Sequence, residues 1–119
     1  MSRKSATPSG AIYLGLECGG TRSVALTTDH NLTVLERREF GPGNLRLLSD
    51  GQLLAHLRKI AASFPTPVAV GIGMAGVRGA PDVKRLTAVC AKVWNGVPHA
   101  VSHDLETALA AAGDRKSVV

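Results

Sequence analysis

Two glycine-rich segments and one aspartate have the residue types and spacing to support chemistry on a phosphorylated ligand. In the first segment, Gly19 and Gly20 lack a Cβ, so their backbone N–H groups can approach phosphate oxygens closely. Thr21 and Ser23 add hydroxyl donors, and Arg22 adds positive charge. A plain hairpin turn would use the same glycines, and the residue types alone leave both interpretations open.

The second segment, Gly71-Ile-Gly-Met-Ala-Gly76, matches the G-x-G-x-x-G pattern of dinucleotide-binding proteins. In those proteins a helix opens at the glycines, and an acidic residue follows about 20 residues later. Here the next helix is predicted to begin near Pro81, and the next acid that ends a strand is Asp104. A nicotinamide cofactor is therefore the disfavoured alternative. The sequence also lacks the P-loop pattern G-x-x-x-x-G-K-S/T.

Asp104 follows the last predicted strand and precedes a helix, at the edge where open α/β sheets bind ligands. Its carboxylate could cap that helix, or it could accept a proton from an attacking hydroxyl as a general base. A catalytic triad made of Ser102-His-Asp104 is rejected, because adjacent residues cannot converge on one proton path. His99 and His103 have the spacing of helical metal ligands, but they fall on a strand and its end, so this metal site is rejected too.

Composition excludes several other classes of protein. The 119 residues suit one folded domain, since 45% are hydrophobic and the net charge is only +5. Two cysteines are too few for a disulfide scaffold or a Cys-rich zinc module, and they fit reduced thiols in a cytoplasmic protein. The basic residues are scattered and aromatic residues make up 3%, so no nucleic-acid surface is expected. Residues 1–10 have no apolar stretch, which predicts a mobile tail and neither a signal peptide nor a membrane anchor.

The pattern of apolar residues predicts the elements that must position these groups. Three strands joined by short turns are expected first, as an antiparallel meander: Ala11–Leu16, Val24–Thr28 and Leu32–Phe40. A helix follows with an apolar stripe from Leu53 to Phe64, Asp50 as its N-cap, and Pro65 and Pro67 ending it. The remaining predicted elements are a strand at Val68–Gly73, a helix with Pro81 in its first turn, a strand at Pro98–Ser102 and a helix at Leu105–Ala112. The order β-β-β-α-β-α-β-α predicts an α/β domain with one mixed sheet covered by helices.

Residues 11–23, AIYLGLECGGTRS, resemble the opening of the N-acetylglucosamine kinases in the BadF/BadG/BcrA/BcrD ATPase family of actin-like sugar kinases. The resemblance continues at Gly43-Asn44, at Gly71–Gly76 and at Val101–Ala108. It implies a ribonuclease-H-like, actin-like ATPase lobe over residues 11–119. It also implies transfer of a phosphoryl group from MgATP to the 6-hydroxyl of N-acetylglucosamine or a related amino sugar.

The resemblance further implies a role for individual residues. Residues 19–21 would lie at the ATP phosphates, and Glu17, where most relatives carry Asp, would reach the magnesium ion through water. Asn44 would hydrogen-bond the sugar. Asp104 would contact the same sugar and act as the general base.

The same resemblance implies a second lobe with another phosphate loop and the adenosine pocket, so this chain is expected to be inactive alone. Homodimerisation is left open for a full-length form. One alternative is a non-catalytic sugar-binding or regulatory domain of the same fold. Another is an activator ATPase of 2-hydroxyacyl-CoA dehydratases, which would need cysteines for an iron–sulfur cluster, and Cys18 and Cys90 do not have that placement.

Overall fold

The structure, a computed structural model, describes residues 11–102, 104–106 and 108. In chain order these residues form β1 (Tyr13–Cys18), β2 (Ser23–Thr28), β3 (Val34–Phe40), a 3₁₀ turn (Leu45–Leu47), α1 (Asp50–Ala61), β4 (Ala69–Met74), α2 (Ala80–Val93) and β5 (His99–Ser102). Leu105, Glu106 and Ala108 are helical and begin the predicted last helix. The rest of that helix and the tail predicted at residues 1–10 lie outside the described residues.

The strands form one mixed sheet in the order β3-β2-β1-β4-β5. The first three strands pair antiparallel, as expected of a meander with short turns. β4 pairs parallel with β1, and β5 pairs parallel with β4. The predicted α/β class and the predicted element order are confirmed for the described residues.

One face of the sheet packs against α1 and α2 and forms the main hydrophobic core. The stripe predicted on the first helix is buried there through Leu53, Leu57 and Ile60. The second helix contributes Leu86 and Val89. Each such side chain stabilises the fold by roughly 1.5–3 kcal/mol when it leaves water. The sheet residues that meet these helices are Leu14, Leu16, Ala25, Val70, Ile72 and Met74.

The opposite face, which we call the glycine face, carries few side chains in its centre. Gly15 pairs with Gly71 across β1 and β4, and Gly73 follows two residues later on the same face. A small second cluster of Tyr13, Ala69 and Ala100 lies at one end of this face. Because no Cβ stands above the central positions, the chain that follows β5 can lie directly on the sheet.

Element boundaries differ from the sequence prediction where non-local or capping contacts decide them. Ser49, and not Asp50, caps α1, because Ser49 and Gln52 form a reciprocal capping box. Asp50 is the first helical residue. The helix ends at Ala61, earlier than the predicted stop at Pro65. α2 begins at Ala80 with proline in its first turn, as predicted.

The predicted turn at residues 17–23 is shorter in the structure. Cys18 pairs with Ser23 on β2 and with Met74 on β4, so β1 extends two residues beyond the predicted end. Glu17 is therefore a strand residue, and the turn is reduced to residues 19–22. None of the helices in the described part of the chain combines the length and apolar character that a membrane span requires.

Candidate functional site

The β1–β2 turn, residues 19–22, is held in place by its own backbone and by the segment after β3. The Gly19 N–H donates to the Arg22 carbonyl at 2.8 Å, and the Gly19 carbonyl accepts from the Gly43 N–H at 2.9 Å. Both backbone polar groups of Gly19 are thus used inside the protein. A Cβ on Gly19 would lie 3.1 Å from the Arg22 oxygen. The sequence predicted that the Gly19 N–H would bind a phosphate oxygen, whereas in the structure this N–H donates to a carbonyl within the turn.

Gly20 differs from Gly19 in its surroundings. It is exposed, and a Cβ added to it would have nothing within 4 Å. Gly20 is not among the described glycines with positive φ, which are Gly76 and Gly96. Neither packing nor backbone conformation therefore requires a glycine here, and the space above it is open to a ligand. Thr21 is also exposed and lines the adjacent groove.

A groove of about 470 Å³ runs beside this turn and contains Glu17, Thr21, Arg22 and Arg37 in its lining. Glu17 is exposed at the end of β1. The two arginines reach Glu39, with Nη1–carboxylate distances of 3.8 Å from Arg22 and 3.0 Å from Arg37. These exposed pairs are worth little individually, so the guanidinium groups are available to an anionic ligand. The groove therefore brings a carboxylate and two guanidinium groups next to the open turn.

Asp104 reaches the same region over the glycine face, from the edge of the sheet that β5 forms. Gly73 pairs with Glu17 on β1 and with Ser102 on β5, so all three positions face the same way. A Cβ on Gly73 would lie 2.5 Å from the Asp104 carbonyl carbon and 3.0 Å from its Cα. The missing side chain of Gly73 therefore lets the chain after β5 lie directly on the glycine face. The Asp104 carbonyl accepts the Ala108 N–H at 3.3 Å, which agrees with a position at the start of a helix.

A second cavity, of about 580 Å³, contains both Glu17 and Asp104 in its lining. We call it the acidic cleft, because Glu106 lines it as well. Its other wall is formed by the β2–β3 hairpin, through Leu26, Thr28, Leu32 and Val34. Glu17 thus lies in the wall shared by the groove at the turn and the acidic cleft. The structure brings together three of the predicted groups: the turn, the predicted magnesium residue and the predicted base.

Asn44 is held at a different place on the same edge of the sheet. Its Oδ1 accepts the Arg46 N–H at 2.9 Å and so caps the 3₁₀ turn. Gly76, with φ +91°, packs against this group, since a Cβ there would lie 2.6 Å from the Asn44 Oδ1. Asn44 lines neither the groove at the turn nor the acidic cleft. It is linked to the turn through its neighbour Gly43.

Two salt-bridge networks fix the Asn44 segment, and the sequence analysis did not identify them. Arg85 of α2 donates to the carbonyls of Leu45 at 2.9 Å and Leu48 at 2.6 Å, and to Asp50 Oδ1 at 2.6 Å. Arg46 donates to both oxygens of Asp82, at 3.0 and 3.2 Å. The partners lie more than 30 positions apart in the chain, so no local sequence pattern predicts these pairs.

The residues present fit a magnesium ion whose ligands are mostly water and the phosphate groups of a bound nucleotide. No group of three or more His, Cys, Asp or Glu side chains within the described residues could hold a metal ion directly. A cation here would therefore be bound mainly by phosphate and water, with the exposed Glu17 carboxylate accepting from a bound water. Magnesium binds in this way, because it dehydrates reluctantly.

Both cysteine thiols lie in the core and are reduced. Cys18 and Cys90 are 1% and 0% exposed. Burial raises the pKa of Cys18 to about 11 and that of Cys90 to about 12. Thiols in this state are poor nucleophiles and poor cluster ligands. Their burial argues against the dehydratase-activator alternative.

The second glycine segment is not a dinucleotide site. Gly71 and Gly73 lie inside β4, and the next helix begins only at Ala80, after an intervening loop. No helix N-terminus therefore opens at the glycines, as a pyrophosphate site of that type would need. His103, the middle residue of the rejected triad, lies outside the described residues.

Comparisons with known proteins show the architecture and no closer relationship. No protein-family model matches the chain, and no curated protein matches it. Among solved structures, a match is found to a ROK family transcriptional regulator described as a homologue of the E. coli MLC protein. The match has a TM-score of 0.52 and 15% sequence identity, and it covers 77% of this chain and 27% of that one. This chain thus spans about a quarter of the regulator's length. The likeness shows the fold, which is the mixed α/β architecture of an actin-like ATPase lobe.

Proposed function

We propose that this chain is the N-terminal lobe of an ATP-dependent sugar kinase, with N-acetylglucosamine or a similar amino sugar as the phosphoryl acceptor. The observation that carries the proposal is the position of Glu17 in the wall shared by the groove at the turn and the acidic cleft. A phosphoryl donor in the first cavity and a hydroxyl acceptor in the second would meet beside this carboxylate. The resemblance of residues 11–23 to N-acetylglucosamine kinases supplies the identity of the sugar.

The chain's own residues would divide the work of binding and proton transfer. The backbone N–H groups of the exposed residues Gly20 and Thr21 would bind phosphate oxygens, and Arg22 and Arg37 in the groove would add positive charge beside them. Asp104 would accept the proton of the sugar 6-hydroxyl as that oxygen bonds to the γ-phosphorus and the β–γ bridging P–O bond breaks. Bound MgATP supplies the phosphoryl group and the cation that neutralises its charge. Asn44, which lies outside both cavities, would contact the sugar only once a second lobe closes over this edge.

Binding by the chain itself tests the proposal without requiring a second lobe. We expect MgATP to shift the backbone amide resonances of Gly20 and Thr21. Replacement of Glu17 by Gln should make the affinity for MgATP about tenfold weaker, because a charge-assisted contact to the hydrated cation is lost. ATP without magnesium should bind Glu17→Gln at least as tightly as the wild type, because a carboxylate that repels the bare phosphates has been removed. The matched control is Glu36→Gln, which removes an exposed carboxylate from the edge strand β3. Failure of MgATP to shift any amide of the turn would overturn the proposal.

The substitution Asp104→Asn distinguishes a role of Asp104 as general base from a role as helix cap. Asn caps helices about as well as Asp, so the melting temperature should change little. In a full-length form, ADP release in the presence of the sugar should fall by about 10²-fold or more, as expected when a general base is lost. A large loss of stability with proportionate loss of activity would instead assign Asp104 a structural role.

A non-catalytic, sugar-responsive regulatory domain is the second candidate. It is favoured by one observation: a solved structure with this fold is described as a transcriptional regulator. The two functions differ in what the acidic cleft and the turn bind. Sugar binding that shifts residues near Asp104, with no response of the turn to MgATP, would favour the regulatory function.

A further inference from the structure

A half-buried polar contact lies beneath the β1–β2 turn, and no step of the proposed reaction uses it. Ser23 is fully buried, and its Oγ lies 3.0 Å from Nε2 of His56 on α1. The Cys18 thiol lies on the other side of this hydroxyl, which lowers the pKa of Cys18 against the larger effect of burial. The surrounding core is apolar. A buried hydroxyl is costly unless it is paired, so the contact with His56 stabilises Ser23 in this place.

The loop that carries Asn44 packs tightly on this pair. A Cβ on Gly43 would lie 2.9 Å from both the His56 Nε2 and the Ser23 Oγ, and 3.0 Å from the Cys18 Cβ. The Gly43 N–H in turn donates to the Gly19 carbonyl at 2.9 Å. Gly43 is therefore held between the His56 contact below and the turn above. Gly43 therefore connects the His56 contact to both the Asn44 segment and the turn.

The tautomer and the protonation state of His56 together decide which atom donates in this contact. Neutral His56 can accept the Ser23 hydroxyl proton at Nε2, whereas doubly protonated imidazole can only donate there. The Ser23 hydroxyl hydrogen would then have to turn toward the Cys18 sulfur, which is a weak acceptor. Burial lowers the pKa of His56, and the positive charge of Lys59 on the same helix lowers it further. Within the described part of the chain, the other groups next to His56 are the Ser23 hydroxyl and the backbone of Gly43, with the Cys18 thiol behind them, and none of these carries a charge near neutral pH.

We propose that His56 is a positioning residue: in its neutral form it holds the Gly43–Asn44 loop against the β1–β2 turn through Ser23, and its protonation loosens that loop. The regulation of the turn rests on the proposed function, whereas the coupling of His56 to the loop does not. The site is then competent above the pKa of His56 and weakened below it.

The coupling can be measured on the chain as it is, by following backbone amide resonances from pH 8 to pH 5. The Gly19 and Gly43 amides should shift together, with one midpoint below the ordinary histidine value of 6.5. His56→Gln keeps a hydrogen-bonding group but cannot titrate, so both amides should stay at their neutral-pH positions. The control is His30→Gln, because His30 is exposed in the β2–β3 turn, and this variant should behave like the wild type. Absence of a transition in the wild type, or the same transition in His56→Gln, would overturn the proposal.

A second variant covers the case in which His56→Gln does not fold. Ser23→Ala leaves the imidazole in place but removes its contact. His56 should still titrate, and its charge should still shift the adjacent Gly43 amide, while the Gly19 amide no longer follows the transition. A Gly19 amide that follows the His56 transition in Ser23→Ala would refute transmission through Ser23.

Ligand binding then separates this inference from the proposed function. On acidification the affinity of the wild type for MgATP should weaken about fivefold more than that of His56→Gln, the equivalent of one lost hydrogen bond, and protonation of the γ-phosphate should weaken binding by both forms alike. If MgATP binds at no pH, the proposed function fails, and the amide shifts still decide whether His56 controls the loop. If the affinities of the wild type and of His56→Gln change equally with pH, the regulatory part of the inference is wrong.

Discussion

Replacement of Gly73 by Ala tests whether the glycine face positions Asp104. The new Cβ would lie 2.5 Å from the Asp104 carbonyl carbon and 3.0 Å from its Cα, and it would also meet the Leu105 nitrogen. All three are backbone atoms, so no side chain can rotate away. Carbon atoms in contact lie about 3.5–4.0 Å apart, which means that the Asp104 backbone must move by about 1 Å.

The size of the effect follows from this overlap. Overpacking of a well-packed site typically costs about 1–3 kcal/mol, and a clash with backbone alone belongs in the upper half of that range. A loss of about 2 kcal/mol in the free energy of unfolding corresponds to a fall in melting temperature of about 8 °C for a domain of this size. Because Asp104 would move away from Glu17, the proposed binding of an acceptor sugar in the acidic cleft should also weaken.

Thermal unfolding followed by circular dichroism measures the first effect, and Gly20→Ala is the matched control. A Cβ on Gly20 meets nothing within 4 Å, so this variant should be as stable as the wild type or slightly more stable. The amide resonances of Asp104 and Leu105 should move in Gly73→Ala and stay in place in Gly20→Ala. A melting temperature of Gly73→Ala within about 2 °C of the wild type would refute the argument that this glycine is required for the close approach.

Three further outcomes are expected. Arg85→Lys should lower the free energy of unfolding by about 2 kcal/mol in urea, because one ammonium cannot reach the three oxygens that the guanidinium contacts; an unchanged midpoint would contradict this. Leu32→Asn should raise the urea midpoint, since Leu32 is 48% exposed and has φ +63°, a conformation that Asn adopts more easily; a lower midpoint would show that its apolar contacts matter more. Burial raises the pKa values of the folded thiols, so the folded protein keeps these protons at pH values where the unfolded chain loses them. The melting temperature should therefore fall as the pH rises from 9, the ordinary thiol value, to about 11, the value for Cys18. Most of that slope should disappear in Cys18→Ala/Cys90→Ala, and a slope that persists there would come from other groups.

Much of the fold could be predicted from the sequence because its signals are local. The apolar stripe of α1 repeats at helical spacing, and the short turns between the first three strands leave room only for antiparallel pairing. Pro81 marks the first turn of α2 for a similarly local reason, since proline lacks the N–H that a helix start does not need. The prediction of Asp50 as the N-cap of α1 was wrong by one position. Ser49 and Asp50 are both good capping residues, and only the reciprocal hydrogen bonds between Ser49 and Gln52 distinguish them.

The candidate site could be predicted only in part. Residue types identified Gly20 and Thr21 as residues that could face phosphate, and the open space above Gly20 agrees with that. The use of the Gly19 N–H inside the turn could not be predicted, because it depends on how the turn closes. The contact between Ser23 and His56 joins a strand to a helix, and no spacing rule connects those two positions.

By itself, the sequence determined which segments form strands and helices, the order in which they follow one another, and the glycine, hydroxyl and carboxylate groups available for phosphate chemistry. These properties depend on side chains a few positions apart. The tertiary structure decided that Glu17 and Asp104 line one cleft, because the register of β1 with β4 and the missing side chain of Gly73 bring distant parts of the chain together. It also decided that Asn44 stands apart from that cleft, since Arg85 and the Gly43 loop hold its segment against α2 and the turn.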